Sequence, residues 1–242
     1  MNKIKIRTIL FSIAVLLLSF VLIAKITVNP DIKSDRQPPA IVNINSSERS
    51  QSSPLQQSTD DLDELYQQAI EAQPYLNRVT EKVAQQLGGE ALIPKTLKTR
   101  ERSMEKIAAD YGGDASRIMD IVRSSVIFET EEQVLEALNI LRQDMNVLRI
   151  KNRFESPVNG YRDVLLNILM PNGHIAEMQL HLRSILDVKY KFGDKIYQKI
   201  RTIEADAIKE QRDLNADEAK RIEELSNKAK KLYDEAFEKS IL

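Results

Sequence analysis

Two acids, a spaced set of cations and one tyrosine are the residues of this sequence whose types and placement could do chemistry. Asp120 stands just ahead of the apolar run 122–128. Glu177 lies in an alternating stretch in which Ile175, Glu177, Gln179 and His181 share one face and Ala176, Met178 and Leu180 the other. An uncompensated carboxylate on a buried-type strand is costly, and a divalent ion held by Asp120 and Glu177 would remove that cost. Lys98, Arg102 and Lys106 recur every four residues, which on a helix places them on one face about a turn apart. Such a row can hold a triphosphate, or be a solvated face paired with Glu101 and Glu105. Arg123 is placed to reach a phosphate or to close a structural ion pair. Tyr161 follows an Asn159-Gly160 turn, where its ring can face a purine or sit in the core with its hydroxyl satisfied. Arg162 can orient an acceptor or pair with Asp163, and Gln179 can hydrogen-bond an acceptor. His174, beside a hairpin turn, reads as exposed.

The elements that must position these groups follow from apolar periodicity. Leu62, Leu65, Tyr66, Ala69 and Ile70 form one helical stripe and Tyr75, Leu76, Val79 and Val83 another, with Pro74 separating or kinking two helices. Gly88-Gly89 closes that segment. Residues 98–109 read as a helix ended by Gly112-Gly113, and 115–119 as a short helical turn leading to Asp120. A strand over 122–128, an amphipathic helix over 131–142 and a strand over 147–154 suggest a parallel or mixed sheet with a right-handed crossover. Lys151 and Arg153 share a face of that last strand. Residues 163–170 and 174–182 read as a hairpin across Pro171-Asn172-Gly173. Two helices follow: 182–209, open to interruption at Gly193-Asp194, and one with Asn215 as N-cap and Glu218 three residues on. Ile222, Leu225, Ala229, Leu232 and Ala236 give the last helix a narrow apolar stripe for the domain or a protein partner.

Composition narrows the chemistry. The chain has 242 residues, 42% hydrophobic and 29% charged, so it can bury a core. A net charge of −1 offers no global attraction to nucleic acid or an anionic membrane. There is no cysteine, hence no disulfide, thiol nucleophile or thiolate metal site. With only His174 and His181, a multi-histidine metal site is excluded as well, which leaves a hard, oxygen-ligated ion. At the N-terminus, Lys3, Lys5 and Arg7 precede an uncharged apolar run over 8–24. At ~1.5 Å per residue, the run extended to residue 28 spans a bilayer core of ~30 Å. It reads as a single-pass anchor, or as a secretion signal if cleaved, and either puts the remainder outside the cytoplasm. Residues 29–60, rich in Pro, Ser, Asn and Gln, read as a flexible tether. The organisation is therefore 1–28 anchor or signal, 29–60 linker, 61–210 the domain, and 211–242 a C-terminal helix.

Three pieces, TRERSMEKIAADYGGDASRIMDIVRSSVIF, RIKNRFESPVNGYRDVLLNIL and NGHIAEMQLHL, resemble in order and rough spacing the synthetase domain of the RelA/SpoT family. The resemblance covers roughly residues 97–201 and implies a small, stand-alone synthetase-type domain. It implies an α/β fold, a mixed β-sheet flanked by helices as in nucleotidyltransferase-like synthetase domains. The implied activity is transfer of pyrophosphate from ATP to the 3′-hydroxyl of a guanine nucleotide, GDP or GTP. Asp120 and Glu177 would then be catalytic and hold Mg2+. Lys98, Arg102, Ser103, Lys106, Arg123 and Lys151 would hold donor phosphates, and Tyr161 would stack on guanine. Two departures stand out: Asp163-Val164-Leu165 where the family has Ser-Leu-His, and Leu180-His181-Leu182 where it has Ile-Arg-Thr. ATP and GTP are scarce outside the cytoplasm. The chain therefore reads as a pyrophosphokinase delivered elsewhere as a toxin or effector, as the same enzyme with its anchor reversed, or as a catalytically inactive, membrane-anchored binding module on this fold.

Overall fold

A computed structural model describes residues 55–240. The anchor reading of 8–24 and most of the tether reading lie outside these residues. Among the described residues, no helix is long and apolar enough to cross a membrane. Residues 55–203 together with 220–240 form one compact unit, and Glu204–Ala219 belongs to another.

Helix α1 (Leu62–Leu87) begins at Asp61, whose carboxylate accepts from the backbone N–H groups of Asp63 and Glu64, and ends at the left-handed Gly88. Its buried residues Leu65, Ala69, Ala72, Leu76, Thr80 and Val83 step by three and four, with Ala84 buried beside the last. Pro74 does not divide it. Pro74 lies on the exposed side of the helix, as does Ile70, the residue whose carbonyl loses its helical partner there. Strand β1 (Glu90–Leu92) follows, three residues too short to show a periodicity. Helix α2 (Arg100–Tyr111) is N-capped by Thr99, so Lys98 precedes the helix instead of opening it. A 3-10 turn (Ala115–Arg117) then leads to β2 (Arg123–Phe128). Helix α3 (Glu131–Asp144) starts with a reciprocal Thr130–Gln133 cap. Strands β3 (Val147–Asn152), β4 (Val164–Leu169) and β5 (Ile175–Leu182) complete the sheet. The chain continues through α4 (Arg183–Val188), a π-helical turn (Lys189–Gly193), α5 (Asp194–Lys209) and α6 (Ala216–Ser240). Glu218 and Asn215 exchange the two bonds of a capping box at the start of α6.

The sheet order is β1-β2-β5-β4-β3. Only β2 and β5 pair parallel, and the other pairs are antiparallel. β2 and β3, joined through α3, run in the same direction but are not neighbours, because the β4–β5 hairpin lies between them.

Residues in register across a sheet share a face, and here the two faces differ in kind. One face carries Val126, Leu166, Met178 and Leu180 into the core with α1 and α3. Its buried polar pair is satisfied: Thr80 and Ser124 hydroxyls sit 2.7 Å apart, tying α1 to β2. The other face is polar. One row across it reads Arg123, Glu177, Asn167, Arg149, and the next Ser125, Gln179, Leu165, Lys151.

The fold also draws on residues ahead of Asp61. Gln57, inside the stretch read as tether, is buried. Its amide donates to the carbonyls of Ile118 and Ile175 and accepts from the Ile175 N–H. This side chain staples the approach to Asp120 onto the start of the strand that carries Glu177.

Candidate active site

The polar face and the chain leading to β2 bring the two acids together. Asp120 is 5% exposed and Glu177 8%. Lys98 Nζ donates to Asp120 Oδ2 at 2.8 Å and Lys106 Nζ to the same oxygen at 2.9 Å. Arg123 lies 4.0 Å from it. Lys98 reaches Asp120 from an extended segment whose backbone N–H donates to the Ile121 carbonyl, not from a helix face. Glu177 is the register partner of Arg123 and accepts from Gln179 Nε2 at 2.7 Å.

The charges are unequal. Burial alone would raise the Asp120 pKa, but the ammonium groups of Lys106 and Lys98 outweigh it and hold the carboxyl below its ordinary range. Burial likewise works against Lys106, yet the adjacent Asp120 carboxylate raises its pKa. Glu177 is pushed up to about 7, first by burial and then by the Asp120 charge, against the lowering effect of Lys106, Arg123 and the Gln179 bond. Lys151 is brought down to about 8 by burial and by neighbouring Arg149 and Arg153.

Magnesium needs one or two carboxylates beside substrate phosphates, not a full protein cage. Among the described residues no group of three acids or histidines could hold a metal. Asp120 Oδ1 fits the smaller requirement: it is buried and has no hydrogen-bond partner, while its other oxygen is held by two lysines. Such an orphaned acceptor is costly unless something fills it.

The other residues singled out from sequence divide. Lys98, Lys106, Arg123 and Lys151 lie at or near the acids. Arg102 does not join them: one helical turn before Lys106, it is exposed and pairs with Glu105 at 2.7 Å. Ser103 is fully buried, its hydroxyl 2.8 Å from that of Tyr66, so it anchors α2 to α1 and offers nothing to a phosphate. Gln179 is engaged with Glu177 and stands 3.0 Å from His181 Nε2, which makes it an orienter of the acid in this state. Tyr161 donates to Asp163 Oδ2 at 3.0 Å, and its ring meets Tyr233 edge-on. Arg162 pairs with Asp234 of α6, not with Asp163, whose carboxylate takes Arg153 and Tyr161. His174 is buried, not exposed, because the hairpin turn folds it inward. Arg149 was missed. It shares the row of Glu177 and donates to Asn167 Oδ1 at 2.8 Å, and the parity of Lys151 and Arg153 along the strand was the available signal.

No family model matches the chain. A stretch of 127 residues, 52% of this chain, is 30% identical to the (p)ppApp synthetase toxin Tas1 of Pseudomonas aeruginosa (strain UCBPP-PA14), and the match spans 28% of that protein. The crystal structure of the type VI effector Tas1 with its immunity protein is similar over 73% of this chain and 96% of that one, with a TM-score of 0.57 at 21% identity. Small alarmone synthetase 2 from Bacillus subtilis is similar over 76% of this chain and 95% of its own, with a TM-score of 0.53 at 22% identity. The mixed sheet flanked by helices is therefore the fold of the small alarmone synthetases.

Proposed function

We propose that this domain is a nucleotide pyrophosphokinase, transferring pyrophosphate from ATP to the 3′-hydroxyl of a purine nucleotide. The observation that carries the reading is Asp120: a buried acid with one oxygen held by two lysines, the other oxygen unpartnered, and Glu177 beside it. In the reaction, the acceptor O3′ forms a bond to the β-phosphorus of ATP. The bond from that phosphorus to the α–β bridging oxygen breaks, AMP leaves, and the hydroxyl proton goes to a base. Glu177, the buried carboxylate beside Asp120, is the base at hand. Lys98, Lys106 and Arg123 bind and orient the donor phosphates. Arg149 and Lys151, on the same sheet face, add positive charge where the transferred group passes. Asp120 and Glu177 would hold Mg2+, whose charge offsets that on the donor's β- and γ-phosphates. The protein's own contribution is positioning and charge stabilisation.

The acceptor base lies on Tyr161. The relative's name supports an adenine nucleotide, and the motif resemblance a guanine one, so both enter the test. The toxin named among the relatives also supports an effector role for this chain. The charge pattern around residues 8–24 supports a membrane anchor or export signal that places the domain outside the cytoplasm. The purified chain, given γ-labelled ATP, magnesium and AMP, ADP, GDP or GTP, should move label onto an acceptor. A chain that moves none would be a binding module on this fold.

A further inference from the structure

The turn that presents Tyr161 has little support of its own. Val158 and Tyr161 close it with two backbone bonds, Asn159 and Gly160 have φ of 48° and 80°, and residues 155–158 are exposed. What holds it is one face of α6. Gly160 lies so close to that helix that an added Cβ would sit 2.8 Å from the Lys230 carbonyl oxygen and 3.0 Å from Tyr233 Cβ. The Tyr161 and Tyr233 rings meet edge-on, with centroids 5.4 Å apart and planes at 67°. Arg162 donates to Asp234 Oδ1 at 3.0 Å, and its guanidinium lies 4.3 Å from the centre of the Phe237 ring. Phe237 also meets Phe154 edge-on at 6.2 Å. Residues 230, 233, 234 and 237 are one helical face, and every one of them touches the acceptor turn or the strand end leading into it.

We propose that this face of α6 is the positioning element of the acceptor site, with Tyr233 and Phe237 fixing the turn so that the Tyr161 ring is set before the nucleotide arrives. The proposal rests on the acceptor role of Tyr161 and adds two residues, Tyr233 and Phe237, from a distant helix of the chain. A turn left loose would have to be ordered by the incoming nucleotide, and that ordering would be subtracted from its binding. A merely structural helix would alter stability and turnover alike. A positioning helix alters acceptor affinity alone.

The test compares wild type with Tyr233→Ala, Phe237→Ala and Tyr233→Phe by amide hydrogen exchange and by initial rates with ADP and GDP as acceptors. In both alanine variants, exchange at 158–162 should quicken and the acceptor KM should rise about tenfold, with the ATP KM within about twofold of wild type. Tyr233→Phe keeps the ring and should match wild type. Unchanged exchange in the turn, or an acceptor KM unchanged or lowered in the alanine variants, would overturn the proposal. A lowered KM would mark the helix as a cover over Tyr161 instead of a support. If wild type transfers to none of AMP, ADP, GDP and GTP, the acceptor reading of Tyr161 falls, and the exchange measurement still decides whether α6 fixes the turn.

Discussion

Lys106 Nζ donates to Asp120 Oδ2 at 2.9 Å, and the pair keeps Asp120 charged beside Glu177 in a site closed to most solvent. Glu177 carries the consequence. Its pKa of about 7 lies above the ~4.3 of an unfolded glutamate. The unfolded chain therefore holds fewer protons than the folded one between those values, and this group costs stability as pH rises from about 4.3 to about 7. Glu177→Gln should raise stability at pH 8 by about 1–3 kcal/mol and leave it unchanged near pH 4. Denaturant unfolding at the two pH values checks this. A variant less stable than wild type at pH 8 would contradict the placement of Glu177.

The histidines act in the opposite sense. Burial brings His174 and His181 down to about 4, below the ~6.5 of an exposed imidazole. Between those values the unfolded chain binds more protons, so their share of stability falls as pH drops from about 6.5 and is gone by about 4. Neither ring nitrogen of His174 has a partner. His174→Met should thus lose less stability than wild type across that window, by up to about 3 kcal/mol at pH 4. Unfolding curves of the two proteins that stay parallel in pH would contradict it.

Gln57 closes three hydrogen bonds in a buried position, and removing it strands the carbonyls of Ile118 and Ile175 and the Ile175 N–H. Gln57→Ala should cost about 1–3 kcal/mol. It should also loosen the approach to Asp120, visible as faster amide exchange at 116–121. A stability within about 0.5 kcal/mol of wild type would show that the staple is not needed.

What was legible in the sequence was local. Pro171-Asn172-Gly173 marks the hairpin, the apolar alternation marks β5, and Asn215 with Glu218 marks the start of α6, because each depends on neighbours within a few residues. The acids Asp120 and Glu177 stood out because a carboxylate on an apolar strand needs a compensating charge. The misreadings arise where distant contacts decide. Spacing alone put Lys98 on the helix of Lys106, but Thr99 caps that helix and Lys98 reaches Asp120 from outside it. Ser103 reads as a phosphate ligand until Tyr66, from another helix, is found on its hydroxyl. The apolar stripe of α6 was drawn through Leu232 and Ala236, whereas Tyr233 is the buried residue, because its partner Tyr161 lies far away in the chain. Pro74 reads as a break because periodicity does not show that its side of the helix faces solvent.

The most direct measurement of the central claim is label transfer from γ-labelled ATP, with magnesium and a saturating purine nucleotide, in wild type and in Glu177→Gln. The substitution keeps the shape of the side chain and its bond to Gln179 within reach while removing both the proton acceptor and one metal-binding charge. Transfer should fall by about 10²–10⁴-fold, as for loss of a positioned acid or base, with the folded state as stable as wild type or more so. Equal transfer by the two proteins would contradict the assignment of Glu177 and, with it, the site built around Asp120.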